Sequence, residues 1–156
     1  MATSAGIIMF RDGEAGREVL LVHPGGPFWA KKDDGAWSIP KGEFTEGEDP
    51  LAAARREFEE ELGTPVSGDF VELTAIKQNG GKLVYAWAVR GDLDPERLKS
   101  NSFTMEWPPR SGKMQSFPEV DRAGWFDLET ARRKILESQR GLIEQVSDIA
   151  RASRGA

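Results

Sequence analysis

Residues 57–61 read EFEEE, and Glu57, Glu60 and Glu61 recur at i, i+3 and i+4. On a helix that spacing gathers three carboxylates on one face, while Glu59 points elsewhere and Phe58 and Leu62 point inward. Such an oxygen-rich cluster suits a hard divalent cation, Mg2+ or Mn2+. Without one, two unit charges ~5 Å apart repel by roughly 3 kcal/mol at an effective dielectric of about 20. A carboxylate in this cluster then holds its proton more tightly than usual. Taken alone, EFEEE also fits a solvated glutamate-rich helix face, so the surrounding spacing decides between the two.

The helix itself is legible. Asp49 suits an N-cap and Pro50 the first helical position. Leu51, Ala54, Phe58 and Leu62 follow helical periodicity, Gly63 fits the stop, and Pro65 blocks continuation. The expected helix spans about 49–62.

Around it stand Gly42, then Glu48, then Arg56-Glu57, Glu60-Glu61 and Gly63. This set resembles the signature of the Nudix hydrolase family, G-x5-E-x7-R-E-U-x-E-E-x-G-U with U a bulky apolar residue. Phe58 fits the first U; Thr64 departs from the last, at a packing position. With about one chance in ten per fixed residue, such a match arises by chance at on the order of 10^-5 over the chain. The strands before the box, and Trp125-Phe126 followed by Leu128-Glu129-Thr130-Ala131, look like the rest of such a domain, over about residues 3–137.

The resemblance implies an enzyme that cuts a phosphoanhydride of a nucleoside diphosphate linked to another group X. By similarity Glu57, Glu60 and Glu61 are metal ligands, with the Gly42 carbonyl as a further donor. Arg56 orients the carboxylates through charge-assisted hydrogen bonds. Glu60, Glu61 and Arg56 thus count as catalytic, and Glu48 and Gly63 as structural members of the box. The general base varies in this family; Glu119, six residues before Trp125, is the candidate outside the box, ahead of Asp121 and Glu106.

Trp37-Ser38-Ile39-Pro40-Lys41-Gly42 resembles the W-x-x-P-K-G entry of dinucleoside polyphosphate hydrolases, although nucleotide-sanitising and diphosphoinositol polyphosphate enzymes share its Pro-Lys-Gly. Trp37 and Lys41 are therefore substrate-binding candidates, the Lys41 ammonium for a distal phosphate. Lys82 joins them, with Lys31, Lys32, Arg110 and Lys113 as weaker candidates. Tyr85 and Trp107, like Phe28 and Trp29, offer rings for a base to stack on. Tyr85 shares one strand face with Trp87, which equally suits core packing. Trp107 lies in a polar run that gives a core residue no support. His23, the only histidine, reads as structural.

These residues need a frame. The 156 residues suggest one domain over 1–156, with a core of about 3–137 and a C-terminal helix over about 138–153. Strands are expected at 3–10, 18–23, 70–78, 82–89 and 122–126, and helices at 128–135 and about 140–152. The 11–17 segment reads as a hairpin loop, 79–81 as a turn and 93–118 as a long loop of functional character. The order lacks regular βαβ alternation, which predicts an α+β fold; the resemblance narrows it to an α/β/α sandwich with a mixed sheet between helices.

The net charge of −5 argues against a general nucleic-acid-binding surface while leaving room for a local basic patch. The absence of cysteine excludes disulfides, thiolate metal sites and a Cys nucleophile. No apolar run is long enough to span a membrane, and no signal peptide is evident, so the cytoplasm is the expected location. A small nucleotide is the expected partner, with neither nucleic acid nor membrane; domains of this family often dimerise, which leaves a homodimer open. Within the enzyme class the alternative is a nucleoside triphosphate pyrophosphatase that removes damaged nucleotides. Outside it, the alternative is a Nudix-like module that senses a nucleotide without cutting it.

Overall fold

The computed structural model describes residues 3–150. Its centre is β1 (Thr3–Gly13), an almost wholly buried strand. Alternate side chains go to opposite faces. Ala5, Ile7 and Met9 join one apolar cluster and Ile8 and Phe10 the other, so both faces of the strand are covered. That explains the unbroken apolar run SAGIIMF, where a half-exposed strand would alternate with polar residues.

β2 (Gly16–Pro24) folds back on β1 with Gly13 opposite Gly16, so the hairpin is tighter than the 11–17 loop expected from composition. β6 (Leu83–Arg90) lies on the other side of β1 and parallel to it, from Thr3 beside Leu83 to Phe10 beside Arg90. β9 (Val120–Asp127) pairs antiparallel with β2. The expected strand at 70–78 resolves into two short pieces, β4 (Val71–Glu72) and β5 (Ile76–Lys77), both on β6. β3 (Lys41–Glu43) pairs with the start of β1.

One layer over this mixed sheet is α1 (Pro50–Leu62), whose Ala53, Ala54, Phe58 and Leu62 are fully buried. Asp49 caps it, its carboxylate accepting from the Ala52 amide. The other layer is α2 (Leu128–Lys134) and α3 (Arg140–Ser147), with Ala131, Leu142, Ile143 and Val146 turned into the second cluster. The architecture is the expected α/β/α sandwich. The C-terminal helix is shorter than the 140–152 expectation, and 151–152 lie outside the described residues.

The 93–118 segment differs most from expectation. It contains β7 (Ser102–Glu106) and β8 (Met114–Pro118), an antiparallel hairpin separate from the main sheet. Phe103 faces Phe117 across it at 6.0 Å. Phe103, Met105 and Phe117 are its half-buried positions, and the remaining strand residues are open to solvent.

Candidate active site

The two strands that share an edge of β1 diverge. β2 pairs with Phe10–Gly13, whereas β3 pairs with Ser4–Gly6. The chain before β3 bridges back to β2, Ser38 exchanging two backbone hydrogen bonds with Val22 at 2.8 and 3.0 Å. Beside this fork lies a cavity of about 230 Å³. Val22, Ile39 and Leu136 give it an apolar wall, and Trp29, Lys41, Glu61 and Glu119 bring rings and charges to it.

α1 delivers the box carboxylates here. Glu61 is buried, and the Lys41 amide donates to its Oε2 at 3.2 Å. Burial, and next the Glu57 charge, push the Glu61 carboxyl up to about 8. Glu57 is raised too, by burial first and then by Glu60. Glu119 adds a repulsion felt by both Glu57 and Glu61. Glu119, on the short turn between β8 and β9, lines the same cavity as Glu61. Lys41 has its proton affinity lowered by burial, with Glu61 opposing that effect and Lys82 adding to it.

The remaining box residues hold this cluster in place. Arg56 donates to Glu48 and, at 3.4 Å, to Glu57, and its Nε lies 3.9 Å from Glu60. Glu48 also accepts from the Thr45 amide, which ties the loop before α1 to Arg56. Any Cβ on Gly42 would overlap the Glu57 carboxyl group, so the backbone there is open to that carboxylate only because the residue is glycine. Gly63 ends α1 at φ 74°, and a Cβ would stand 2.7 Å from that of Lys99.

These features fit a divalent cation. The donors are all oxygens, a Cβ-free backbone cradles one of them, and two carboxyls have proton affinities raised by crowding. Among the described residues no three such side chains stand as a ready-made ligand shell, so Glu57, Glu60 and Glu61 could hold an ion only after side-chain rotation.

Packing places the other candidate residues. Trp37 is buried against Phe126 at 4.9 Å, its indole donating to Asp33, so it supports the segment leading to Lys41 instead of meeting substrate. Tyr85 packs on Phe44 at the α1 face and does not line the cavity. Trp107 lies beyond the cavity, beside Phe28 on the β7–β8 hairpin. Lys82 is exposed, close enough to Lys41 to influence it. Glu106 accepts from the Arg110 and Gly112 amides and so closes the hairpin tip. Asp121 pairs with His23, whose other ring nitrogen meets the Lys32 carbonyl, so both have structural work.

One residue had no signal in the sequence. Gln139 is fully buried. Its carbonyl accepts from the Ile39 amide, and its amide donates to Ser38 and Gln78. It therefore fixes the Ser38–Ile39 wall from the opposite layer, a hundred residues away in sequence.

The NUDIX domain family matches residues 1–146. The chain belongs to that family. An RNA pyrophosphohydrolase of Rhodospirillum rubrum is 29% identical over 92% of this chain and 88% of its own length. An 8-oxo-(d)GTP phosphatase of Mycolicibacterium smegmatis is 35% identical over 85% of this chain, which spans 37% of that protein. The fold is that of a C. elegans Ap4A hydrolase, at a TM-score of 0.64 and 22% identity, covering 92% of this chain and 95% of the other. This Nudix protein is accordingly a hydrolase of nucleotide phosphoanhydrides, in a family that generally uses divalent metal ions. Among the described residues no helix is long and apolar enough to cross a membrane.

Proposed function

We propose that this Nudix hydrolase uses Mg2+, with Mn2+ able to replace it, to cut the phosphate chain of a dinucleoside polyphosphate. The carrying observation is that Lys41, Glu61 and Glu119 line one cavity, with the Glu57 charge acting on Glu61. Glu57, Glu60 and Glu61 hold the cation, with the Gly42 carbonyl as a further donor. When bound, the ion shields the phosphates from these carboxylates and polarises the phosphoanhydride. Arg56 keeps Glu48 and Glu57 in register with Glu60. Glu119, exposed at the cavity mouth, accepts the proton of the attacking water. Lys41, with Lys82 near it, neutralises a distal phosphate.

The preference for a dinucleoside rests on Trp37 to Gly42, which resembles the entry segment of such hydrolases. A pure sensor needs no such crowding of carboxylates, which favours catalysis. A small nucleotide substrate also suits a cytoplasmic location.

Product analysis with Mg2+ tests the reading. ATP plus AMP from diadenosine tetraphosphate is expected. A monophosphate plus pyrophosphate, formed only from triphosphates, would move the assignment to a nucleotide pyrophosphatase. Because of the Rhodospirillum relative, 5′-triphosphorylated RNA belongs in the panel. Glu60→Gln should lower turnover more than about a hundredfold while the fold persists; near-normal turnover would sink the metal assignment.

A further inference from the structure

β2 and β9 change register beside the cavity. Val22 stands opposite Ala123 and His23 opposite Arg122, but Pro24 stands opposite Val120. One step along β2 spans two along β9, so Asp121 is the extra residue of a β-bulge. The bulge reverses the side-chain alternation. Ala123 and Trp125 pack in the same apolar cluster as Phe58 of α1, and so does Val120, which strict alternation would send to the opposite face. From Val120 the chain leads directly back to Glu119, whose side chain lines the cavity. The bulge therefore sets the direction in which that carboxylate leaves the backbone.

A buried ring holds the extra residue. His23 Nδ1 and Asp121 Oδ1 are hydrogen-bonded at 2.8 Å. At the other end of the ring, Nε2–H donates to the Lys32 carbonyl at 2.6 Å; a carbonyl can only accept, which puts a proton on Nε2. The ring is fully buried and stands edge-on to Trp37, centroids 5.2 Å apart. Anchored at both nitrogens, it presents Nδ1 at one fixed point. Arg122 also approaches Asp121, but it is exposed and 3.8 Å away, where an ion pair contributes little. On the other side of the bulge, the Gly25 amide donates to the Glu119 carbonyl at 2.9 Å, and a Cβ on Gly25 would overlap the Pro118 carbonyl oxygen. The end of β2 thus grips the Glu119 turn at two points.

We infer that His23 and Asp121 are positioning residues, their hydrogen bond latching the bulge that aims Glu119 at the attacking water. This role rests on the proton transfer proposed above for Glu119. A base works only within hydrogen-bond reach of the proton it takes, and a displacement of about 1 Å can cost up to about a hundredfold in rate. Neither His23 nor Asp121 lines the cavity, so both act through Glu119.

The test uses the full chain with Mg2+ and diadenosine tetraphosphate, or whichever nucleotide of the panel above is cleaved. Asp121→Ala, at a side chain one-third exposed, should lower kcat at least about tenfold with KM within about twofold. Asp121→Asn still offers Nδ1 a hydrogen-bond partner and should stay within about threefold of the parent. In a Glu119→Gln background, Asp121→Ala should add no more than about twofold, because the group it aims is already gone. Hydrogen exchange supplies a readout without turnover. The Gly25 amide should exchange at least about tenfold faster in Asp121→Ala and near the parent rate in Asp121→Asn, while the β1 amides keep their protection. Additive losses, or parent-like turnover in Asp121→Ala beside a slow Glu119→Gln, overturn the positioning role and leave the base assignment standing. A Glu119→Gln variant at the parent rate overturns both. Unchanged Gly25 protection in Asp121→Ala overturns the latch even if no nucleotide is cut, whereas failure of the hydrolase reading itself appears as no product from any nucleotide.

Discussion

Burial of Glu61 makes the stability of the metal-free protein fall as pH rises. In the folded chain its carboxyl is pushed from 4.5 up to about 8, by burial and then by the Glu57 charge. An unfolded chain exposes the same group to water at its ordinary value. Between those values the folded state holds a proton that the unfolded state releases, so raising the pH favours unfolding. Linkage gives a loss of about 3 kcal/mol between about pH 5.5 and about pH 8.5, and Glu57, raised in the same direction, adds to it. The assay is urea unfolding at both pH values with divalent ions chelated. Glu61→Gln, which keeps the shape without the charge, should flatten most of the difference. Millimolar Mg2+ should reverse it in the parent protein, because the ion binds the deprotonated cluster and releases protons. A metal-free protein equally stable at both pH values, or an identical slope in Glu61→Gln, would refute the reasoning.

Gly42→Ala should cut turnover by more than about tenfold at a stability cost of about 1–3 kcal/mol, since its Cβ must displace the Glu57 carboxylate; paired kinetics and urea melts read both. Glu119→Gln should lower kcat, and an unchanged rate at every pH would remove this residue from proton transfer. Gln139→Leu leaves the buried Ile39 amide without its acceptor and should cost about 1–3 kcal/mol in chemical denaturation. Gly63→Ala should destabilise by about 1–3 kcal/mol without touching the carboxylates, because it meets both a left-handed φ and the Lys99 backbone.

The sequence by itself determined α1 almost to the residue, because its signals are local. Asp49, Pro50 and Gly63 act within one turn of where they stand, and helical geometry alone brings Glu57, Glu60 and Glu61 to one face. It offered Glu119 only through the family resemblance, and the structure sets that residue on the cavity wall with Glu61. The β7–β8 hairpin escaped notice because its strands are short and most of their residues face water. Trp37 was a substrate-binding candidate through its motif and Tyr85 through its ring, because neither motif nor composition says which side of a sheet a ring faces. The tertiary structure decided that both are packing residues, and that Trp29 reaches the cavity while Phe28 meets Trp107 outside it. It also decided the inequality among the glutamates. Spacing makes Glu57, Glu60 and Glu61 equivalent neighbours, yet only Glu61 is buried deeply enough for its carboxyl to rise to about 8. Burial depends on the Lys41 segment laid over that turn of α1, and Gln139 in the opposite layer fixes the adjoining wall. No pattern within the box contains that information, because the desolvation comes from chain that is distant in sequence.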